Sequence, residues 1–158
     1  QCEQDIVVSY SLVEGGVSTV IQKISGYSSS NVSRNDYRIL AAGDKNIVLR
    51  RGDSDREELT MGSPQAVQNT WRVNCELYIP FTDEITTLGT AIMDEMEKIV
   101  DELGKWPALD SVANVKNVFV EGVGEPEEWA LGGRGPSRWW RQVVTVAVEE
   151  IVTVTQSE

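Results

Sequence analysis

The sequence predicts an α+β fold: a mostly antiparallel or mixed β-sheet with an N-terminal helix and one long amphipathic helix packed on it. Three stretches carry this prediction. Apolar residues recur every three or four positions in 83–103, alternate with polar residues in 70–80, and are mostly β-branched in 139–154. A helix therefore separates strands, which favours helices packed on one face of one sheet. The length of 158 residues fits a single domain.

The N-terminal helix is predicted over residues 3–25, where apolar residues recur at helical spacing after Asp5, a suitable N-cap. Gly15 and Gly16 lower the helix propensity, so a break is expected near them. Residues 26–36 are polar and rich in serine, and they are expected to form a linker or loop.

A β-hairpin is predicted next, because two short β-prone runs, 37–41 and 46–50, flank turn-forming residues at 42–45. Residues 51–69 are charged, polar and interrupted by Gly and Pro, which predicts a long loop. The alternation over 70–80 then predicts a strand with one buried face and one solvent-exposed face.

The long helix is predicted over 83–103, with Asp83 as its N-cap and Gly104 just after its last turn. One stripe of this segment is apolar, and acidic residues occupy the remaining faces. We expect those carboxylates to be solvated surface rather than to have a specific electrostatic role. The remaining predicted elements are a strand at 115–121, a second long loop at 122–137 and a final strand Trp139–Val154 with a bulge near Glu149–Glu150.

The charge is distributed unevenly along the chain. There are 14 Lys and Arg residues against 25 Asp and Glu residues, a net charge of −11, and residues 51–158 carry the whole excess. Binding to DNA or RNA phosphates, or to an anionic membrane, requires a basic face, so this charge argues against both. No apolar run is long enough to span a membrane, and no signal-peptide pattern is visible at the N-terminus.

Several catalytic classes are excluded because the chain has no histidine. These are Ser-His-Asp and Cys-His catalysis and sites in which histidine binds a metal. Cys2 and Cys75 lack metal-ligand spacing, and we expect free thiols, although a disulfide between them stays open.

Three short motifs suggest chemistry only faintly. Glu125, Glu127 and Glu128 resemble a glycosidase carboxylate pair, but a Gly/Pro-rich loop fixes no geometry for them. Asp53-Ser54-Asp55 resembles the start of a calcium loop, but the required Gly and Glu do not follow. Gly132–Gly135 precedes no helix that would bind a phosphate. The prediction is that the chain is not an enzyme and uses no cofactor or metal.

The pair Trp139-Trp140 suggests a surface instead. Adjacent residues of a strand face opposite sides, so one Trp is expected in the core and the other on the opposite face. The second Trp either marks a protein interface or is covered by a loop of its own chain, and the sequence leaves both open.

From residue 37 onward the order of these pieces resembles the tail terminator (tail-completion) proteins of long-tailed bacteriophages, of the lambda type. The resemblance covers about three quarters of the chain and rests on pattern and order. It departs in the longer loops at 51–69 and 122–137. The matching pieces after the hairpin are the Trp-led strand Thr70–Pro80, the helix at 83–103, Pro107-Ala108-Leu109, the strand at 115–121, Trp129 in its loop and the final strand.

The resemblance implies a structural virion protein of the phage tail and neck, assembled in the host cytoplasm. Six copies would form a ring that caps the last ring of tail-tube protein, ends tube polymerisation and joins the head–tail connector. DNA would pass through the channel as a cargo that acidic walls repel over about 8 Å. The alternatives are another neck component, such as a head-completion or stopper protein, and a small ligand-binding or hydrolase α+β domain.

A closed ring needs two different surfaces on each copy. The two predicted long loops are expected to reach a neighbouring copy or the tube. The residues expected to make these protein contacts are Arg51, Arg56, Glu57, Glu58, Trp129, Arg134 and Trp140.

Overall fold

The computed structural model describes residues 2–37, 45–59, 65–80, 85–110, 112–130 and 138–154. Within these ranges the chain forms an α+β fold with two helices and one mixed sheet, which confirms the predicted class. The elements in chain order are α1 Cys2–Ile21, β1 Val32–Arg34, β2 Asn46–Arg51, β3 Asp55–Glu58, β4 Gln65–Pro80, α2 Ile85–Gly104, β5 Val115–Val123, β6 Glu127–Ala130 and β7 Arg138–Val154.

The sheet is organised around the antiparallel pair β4–β7, which runs without a register shift from Gln65 opposite Val154 to Pro80 opposite Trp139. The strand order is β1-β2-β4-β7-β5, and only β1 and β2 are parallel. Because β7 occupies one edge of β4, both β2 and β3 pair with its other edge. In the same way β5 and β6 share the outer edge of β7. β2 and β3 therefore follow one another along the edge of β4, separated by residues 52–54. β5 and β6 follow one another along the edge of β7, separated by residues 124–126.

The main core lies on one face of the sheet, under both helices. Trp71, Val73, Cys75 and Leu77 of β4 are buried there, as their alternation predicts. They pack against buried side chains of α1 and α2 in one hydrophobic cluster. From α2 this cluster includes Ile92, Met96, Ile99 and Leu103, while Met93, Asp94, Glu97, Lys98 and Asp101 are exposed.

Helix α1 is continuous through Gly15 and Gly16, so the predicted break is wrong, and the helix ends at Ile21 rather than at residue 25. Close packing explains why the second of these positions, Gly16, holds a glycine. A Cβ added at Gly16 would lie 2.6 Å from Cγ2 of Val112 and 3.1 Å from Cβ of Leu109. The missing side chain therefore lets the helix approach the segment after α2, where buried Leu109 has a φ of 49°.

Three segments predicted as loops contain strands. The linker at 26–36 includes β1, the predicted loop at 51–69 includes β3 and the first residues of β4, and the loop at 122–137 includes β6. Their polar and charged residues have low β-propensity, but neighbouring strand edges supply backbone hydrogen-bond partners. Tertiary pairing overrides local preference in these segments.

The predicted hairpin between 37–41 and 46–50 is wrong in its pairing. Its second strand exists as β2, but β1 and β4 occupy both edges of Ile47–Leu49. Residues 38–44 lie outside the described part of the chain. The bulge predicted in the final strand near Glu149–Glu150 lies instead in the strand paired with it. β5 carries the extra residue, between Val115 and Asn117, while the register between β4 and β7 is unbroken.

We expect Gly16→Ala to lower the free energy of unfolding by about 1–2 kcal/mol, because the new methyl group overpacks the contact with Val112 and Leu109. Gly15→Ala is the matched control in the same helix turn. Its Cβ would meet only Nη1 of Arg34, at 3.5 Å. Losing a helical glycine should then stabilise the chain by about 0.5–1 kcal/mol. Urea unfolding of both variants checks this, and equal effects would contradict the packing explanation.

Candidate interaction surfaces

The second face of the sheet carries a polar network across its strands. Arg72 of β4 donates from Nη1 to Oδ2 of Asp55 (2.8 Å) and from Nε to Oε1 of Glu121 (2.8 Å), so it joins β3, β4 and β5. Thr145 of β7 donates to Oδ1 of Asn74 at 3.0 Å. A shallow cleft of about 330 Å³ lies here, lined by Gly52, Asp53, Arg72, Asn74, Glu121 and Thr145. Within it the guanidinium of Arg72 is already held by two carboxylates.

A buried carboxylate organises the end of this face nearest β6. Glu76 is 4% exposed and accepts hydrogen bonds from the hydroxyls of Tyr37 (2.7 Å) and Tyr78 (2.8 Å). Arg141 lies 3.3 Å from Glu76 and donates to Tyr78 Oη and to Glu127 Oε1. Burial and the neighbouring Glu76 raise the pKa of Tyr78. Arg141 therefore ties β6 to the central strands.

Two further buried carboxylates lie on the helix-covered face. Glu14 of α1 accepts hydrogen bonds from Tyr10 Oη (2.6 Å) and Arg34 Nε (2.7 Å), which joins α1 to β1. Glu150 accepts from Asn69 Nδ2 (3.2 Å) and Trp71 Nε1 (3.0 Å). Buried polar groups are tolerated when they are paired in this way. The sequence interpretation missed all three buried carboxylates, although consecutive Glu149-Glu150 in a strand must place one of them on the core side.

The predicted contact residues fall into two separate groups. Arg56, Glu57 and Glu58 are exposed on β3. Trp129 lies on β6, opposite Trp139 in the backbone register, and the neighbouring Trp140 on β7 is half-buried against the main core. The side chain of Trp129 and the whole of Arg134 lie outside the described part of the structure.

The structure places β3 and β6 at diagonally opposite corners of the sheet. β3 pairs with Val67–Thr70, close to the start of β4 and therefore to the end of β7. β6 pairs with Arg138–Arg141, at the other end and along the other edge. The two groups of predicted contact residues are thus separated both along the strands and across the sheet.

Arg51 lies apart from both groups, at the end of β2. Its guanidinium is 4.8 Å from the ring centre of Tyr10 and 5.5 Å from that of Trp71. Arginine stacks on aromatic faces through cation–π attraction, which fixes the side chain while leaving its donors accessible. The side chain itself is exposed.

The two adjacent tryptophans face opposite sides, as predicted. Trp139 is fully buried on the second face, in a small cluster with Val48 and Tyr78, and Tyr37 packs against it. Trp140 packs against the main core. The Trp on the face away from the helices was expected either to mark a protein interface or to be covered by its own chain. That residue is Trp139, and its own chain covers it.

Acidic residues from two of the motifs considered for catalysis or metal binding form ion pairs that join strands. Glu127 is bonded to Arg141, and Asp55 of the Asp53-Ser54-Asp55 motif is bonded to Arg72. Cys75 is a free, buried thiol whose pKa is raised by burial and by the charges of Glu14 and Glu76. The side chain of Cys2 and the whole of Gly132–Gly135 lie outside the described residues.

A scan against protein-family models found no match to this chain, and a search of curated proteins found none either. Among the described helices, none combines the length and the apolar character needed to cross a membrane.

We expect Glu76→Gln to lower the free energy of unfolding by roughly 2–3 kcal/mol. The amide oxygen can still accept from Tyr37 and Tyr78, but it carries no charge, and the new NH2 group faces Arg141 where the second carboxylate oxygen stood. Glu127→Gln is the control: it removes the other carboxylate partner of Arg141, but that side chain is 56% exposed. Exposed ion pairs contribute little, so a loss below about 1 kcal/mol is expected. Chemical unfolding measures both, and a larger loss for Glu127→Gln would contradict the assignment.

Glu95 generates a pH prediction. It accepts hydrogen bonds from Tyr27 Oη (2.8 Å), Lys98 Nζ (3.1 Å) and Lys45 Nζ (3.2 Å), which fasten α2 to segments near β1 and β2. Burial favours a higher pKa for this carboxyl, but these hydrogen bonds outweigh burial and lower its pKa below 4.5. A lowered pKa stabilises the fold above the unfolded pKa and stops doing so as pH falls through the folded pKa.

The loss of unfolding free energy in Glu95→Gln should therefore be largest near neutral pH and shrink as the pH falls below the unfolded pKa of 4.5. Urea unfolding across this range measures it. Asp101→Asn is the matched control on the exposed side of the same helix. A pH-independent effect of Glu95→Gln would show that the hydrogen bonds to its charged form do not stabilise the fold.

Proposed function

We propose that this chain is a structural ring protein of a phage tail, a tail terminator. Six copies cap the last ring of the tail tube, end its polymerisation and provide the joining surface for the head–tail connector. The observation that carries the proposal is the diagonal placement of β3 and β6. Two distinct surfaces on one copy are what a heterologous, ring-closing contact requires.

The position of the strand ends supports the same proposal. β3 ends beside the start of β4 at one end of the sheet, and β6 ends beside the start of β7 at the other end. A terminator must engage the tube on one side and the connector on the other. In this proposal, each end of the sheet serves one of the two partners.

The charge fits a channel through which DNA passes without binding. The net charge is −11, and Asp94, Glu97 and Asp101 are exposed on α2. Carboxylates facing a channel repel phosphates within about a Debye length, which keeps the nucleic acid mobile. In this proposal the virion neck is the site of action, and neither catalysis nor a cofactor takes part.

Capping of growing tubes tests the function. The chain is mixed with a polymerising tail-tube protein, and tube length and ends are imaged by electron microscopy. A terminator stops growth and leaves a six-fold cap on one end. Binding only to completed tails indicates a stopper or head-completion protein instead, and tubes of unchanged length with bare ends would refute the terminator role.

We expect Arg56→Glu to weaken capping by about tenfold or more, because charge reversal in an interface opposes association. The side chain of Arg56 is exposed on β3, so the fold should be preserved. Lys105→Glu makes the same charge change at the exposed end of α2 and serves as the control. Capped ends are counted against protein concentration, with thermal unfolding as a check on folding. Equal losses in the two variants would contradict a specific role for the β3 corner.

A further inference from the structure

The cleft on the second face of the sheet is lined by polar groups that are held in place. Arg72 is fixed by Asp55 and Glu121 through two of its five N–H donors, so three N–H donors remain for a ligand. The Oδ1 atom of Asn74 accepts a hydrogen bond from Thr145, which fixes the amide and leaves its Nδ2 as a further donor. Groups that are already ordered lose little conformational freedom when a ligand binds.

Gly52 keeps the cleft open beside these donors. A Cβ at this position would lie 3.3 Å from Nδ2 of Asn74 and 3.2 Å from Cβ of Arg72. The backbone N–H of Gly52 donates to the carbonyl oxygen of Arg72 at 2.8 Å, which holds the chain at this distance. The resulting cleft of about 330 Å³ is at the small end of the range for sites that bind small molecules.

An exposed aromatic ring lies on the same face of the sheet. Phe119 of β5 is opposite Ala147 of β7, and Ala147 is opposite Arg72 of β4. Directly opposed residues share a face, and two strand spacings separate Phe119 from Arg72 by about 10 Å. Between them stands the small, buried side chain of Ala147, whereas Phe119 is 40% exposed. The second face therefore offers a flat apolar ring near the polar groups of the cleft.

The charges at the cleft disfavour an ionic ligand of either sign. The guanidinium of Arg72 repels a cation, while the carboxylates of Asp53, Asp55 and Glu121 repel an anion. The donor set does not suit a metal ion, since the described residues contain no group of three His, Cys, Asp or Glu side chains that could hold one. An uncharged ligand that both donates and accepts hydrogen bonds avoids both repulsions.

We propose that the cleft and Phe119 bind a neutral oligosaccharide. Sugar hydroxyls donate to the carboxylate of Asp53 and accept from Arg72 and Asn74. The apolar C–H face of a sugar packs on the ring of Phe119. Because this ring lies about 10 Å from Arg72, more than one sugar unit is needed to reach both. This site goes beyond the terminator role and does not rest on it.

Titration with three neutral trisaccharides tests the proposal. Maltotriose, cellotriose and triacetylchitotriose are each titrated into the full chain and followed by calorimetry. We expect at least one of them to bind with a dissociation constant of about 1 mM or lower. Because no ion pair forms with the ligand, this constant should change by less than about twofold between about 0.05 M and about 0.5 M salt.

Two exposed side chains provide the variants. Phe119→Ala removes the stacking surface and should raise the dissociation constant about tenfold. Asp53→Ala removes an acceptor of the cleft and should raise it by about tenfold as well. Met93→Ala and Asp101→Ala are the matched controls, because both side chains are exposed on α2, on the other side of the sheet. Thermal unfolding reports the folding of every variant.

Three results would overturn the inference. In the first, none of the three trisaccharides binds at concentrations up to about 10 mM. In the second, a trisaccharide binds, but Phe119→Ala and Asp53→Ala weaken its binding no more than the controls do. In the third, spermidine or inorganic phosphate displaces the trisaccharide in a salt-dependent way, which would identify an ionic site. The terminator role is judged separately by tube capping and is unaffected by any of these results.

Discussion

One face of the sheet is buried under both helices, and this one-sided burial is the constraint on which the rest of the structure depends. Because side chains alternate along a strand, a slip of one residue would move Trp71, Val73 and Leu77 out of the core. Burial therefore fixes the register of β4 against β7, and that register places every outer strand. The opposite face carries a small buried cluster of Val48, Tyr78 and Trp139 and, beside it, polar pairs such as Arg72 with Glu121.

Elements with strong hydrophobic periodicity were predictable from the sequence. The alternation in β4 and the β-branched run of β7 indicate strands because burial selects those residues at every second position. The strands β3 and β6 could not be predicted, since Asp55–Glu58 and Glu127–Ala130 are rich in charge. They are strands because β4 and β7 extend beyond β2 and β5 and offer free backbone groups. The packing role of Gly16 in helix α1 could not be predicted either, because its partners Leu109 and Val112 lie far away in sequence.

For the candidate surfaces, too, the residue types could be predicted from the sequence but their arrangement could not. Exposed charge on Arg51, Arg56 and Glu58 is visible in the sequence, so these residues could be selected as contacts. What the sequence could not give is their arrangement: the rings under Arg51 come from α1 and β4, and the separation of β3 from β6 follows from sheet order.

The β4–β7 pairing also has a consequence for how the chain folds. Its partners are distant in sequence, 59 residues for Pro80 and Trp139 (139 − 80) and 89 residues for Gln65 and Val154 (154 − 65). Contacts of this kind form slowly, because the loop entropy is lost before any pairing compensates for it. The β3–β4 and β6–β7 hairpins are local and can form earlier, each with one long unpaired strand edge. Until the two hairpins join, those edges are open to pairing with other chains, so nascent protein is most vulnerable to aggregation in that interval.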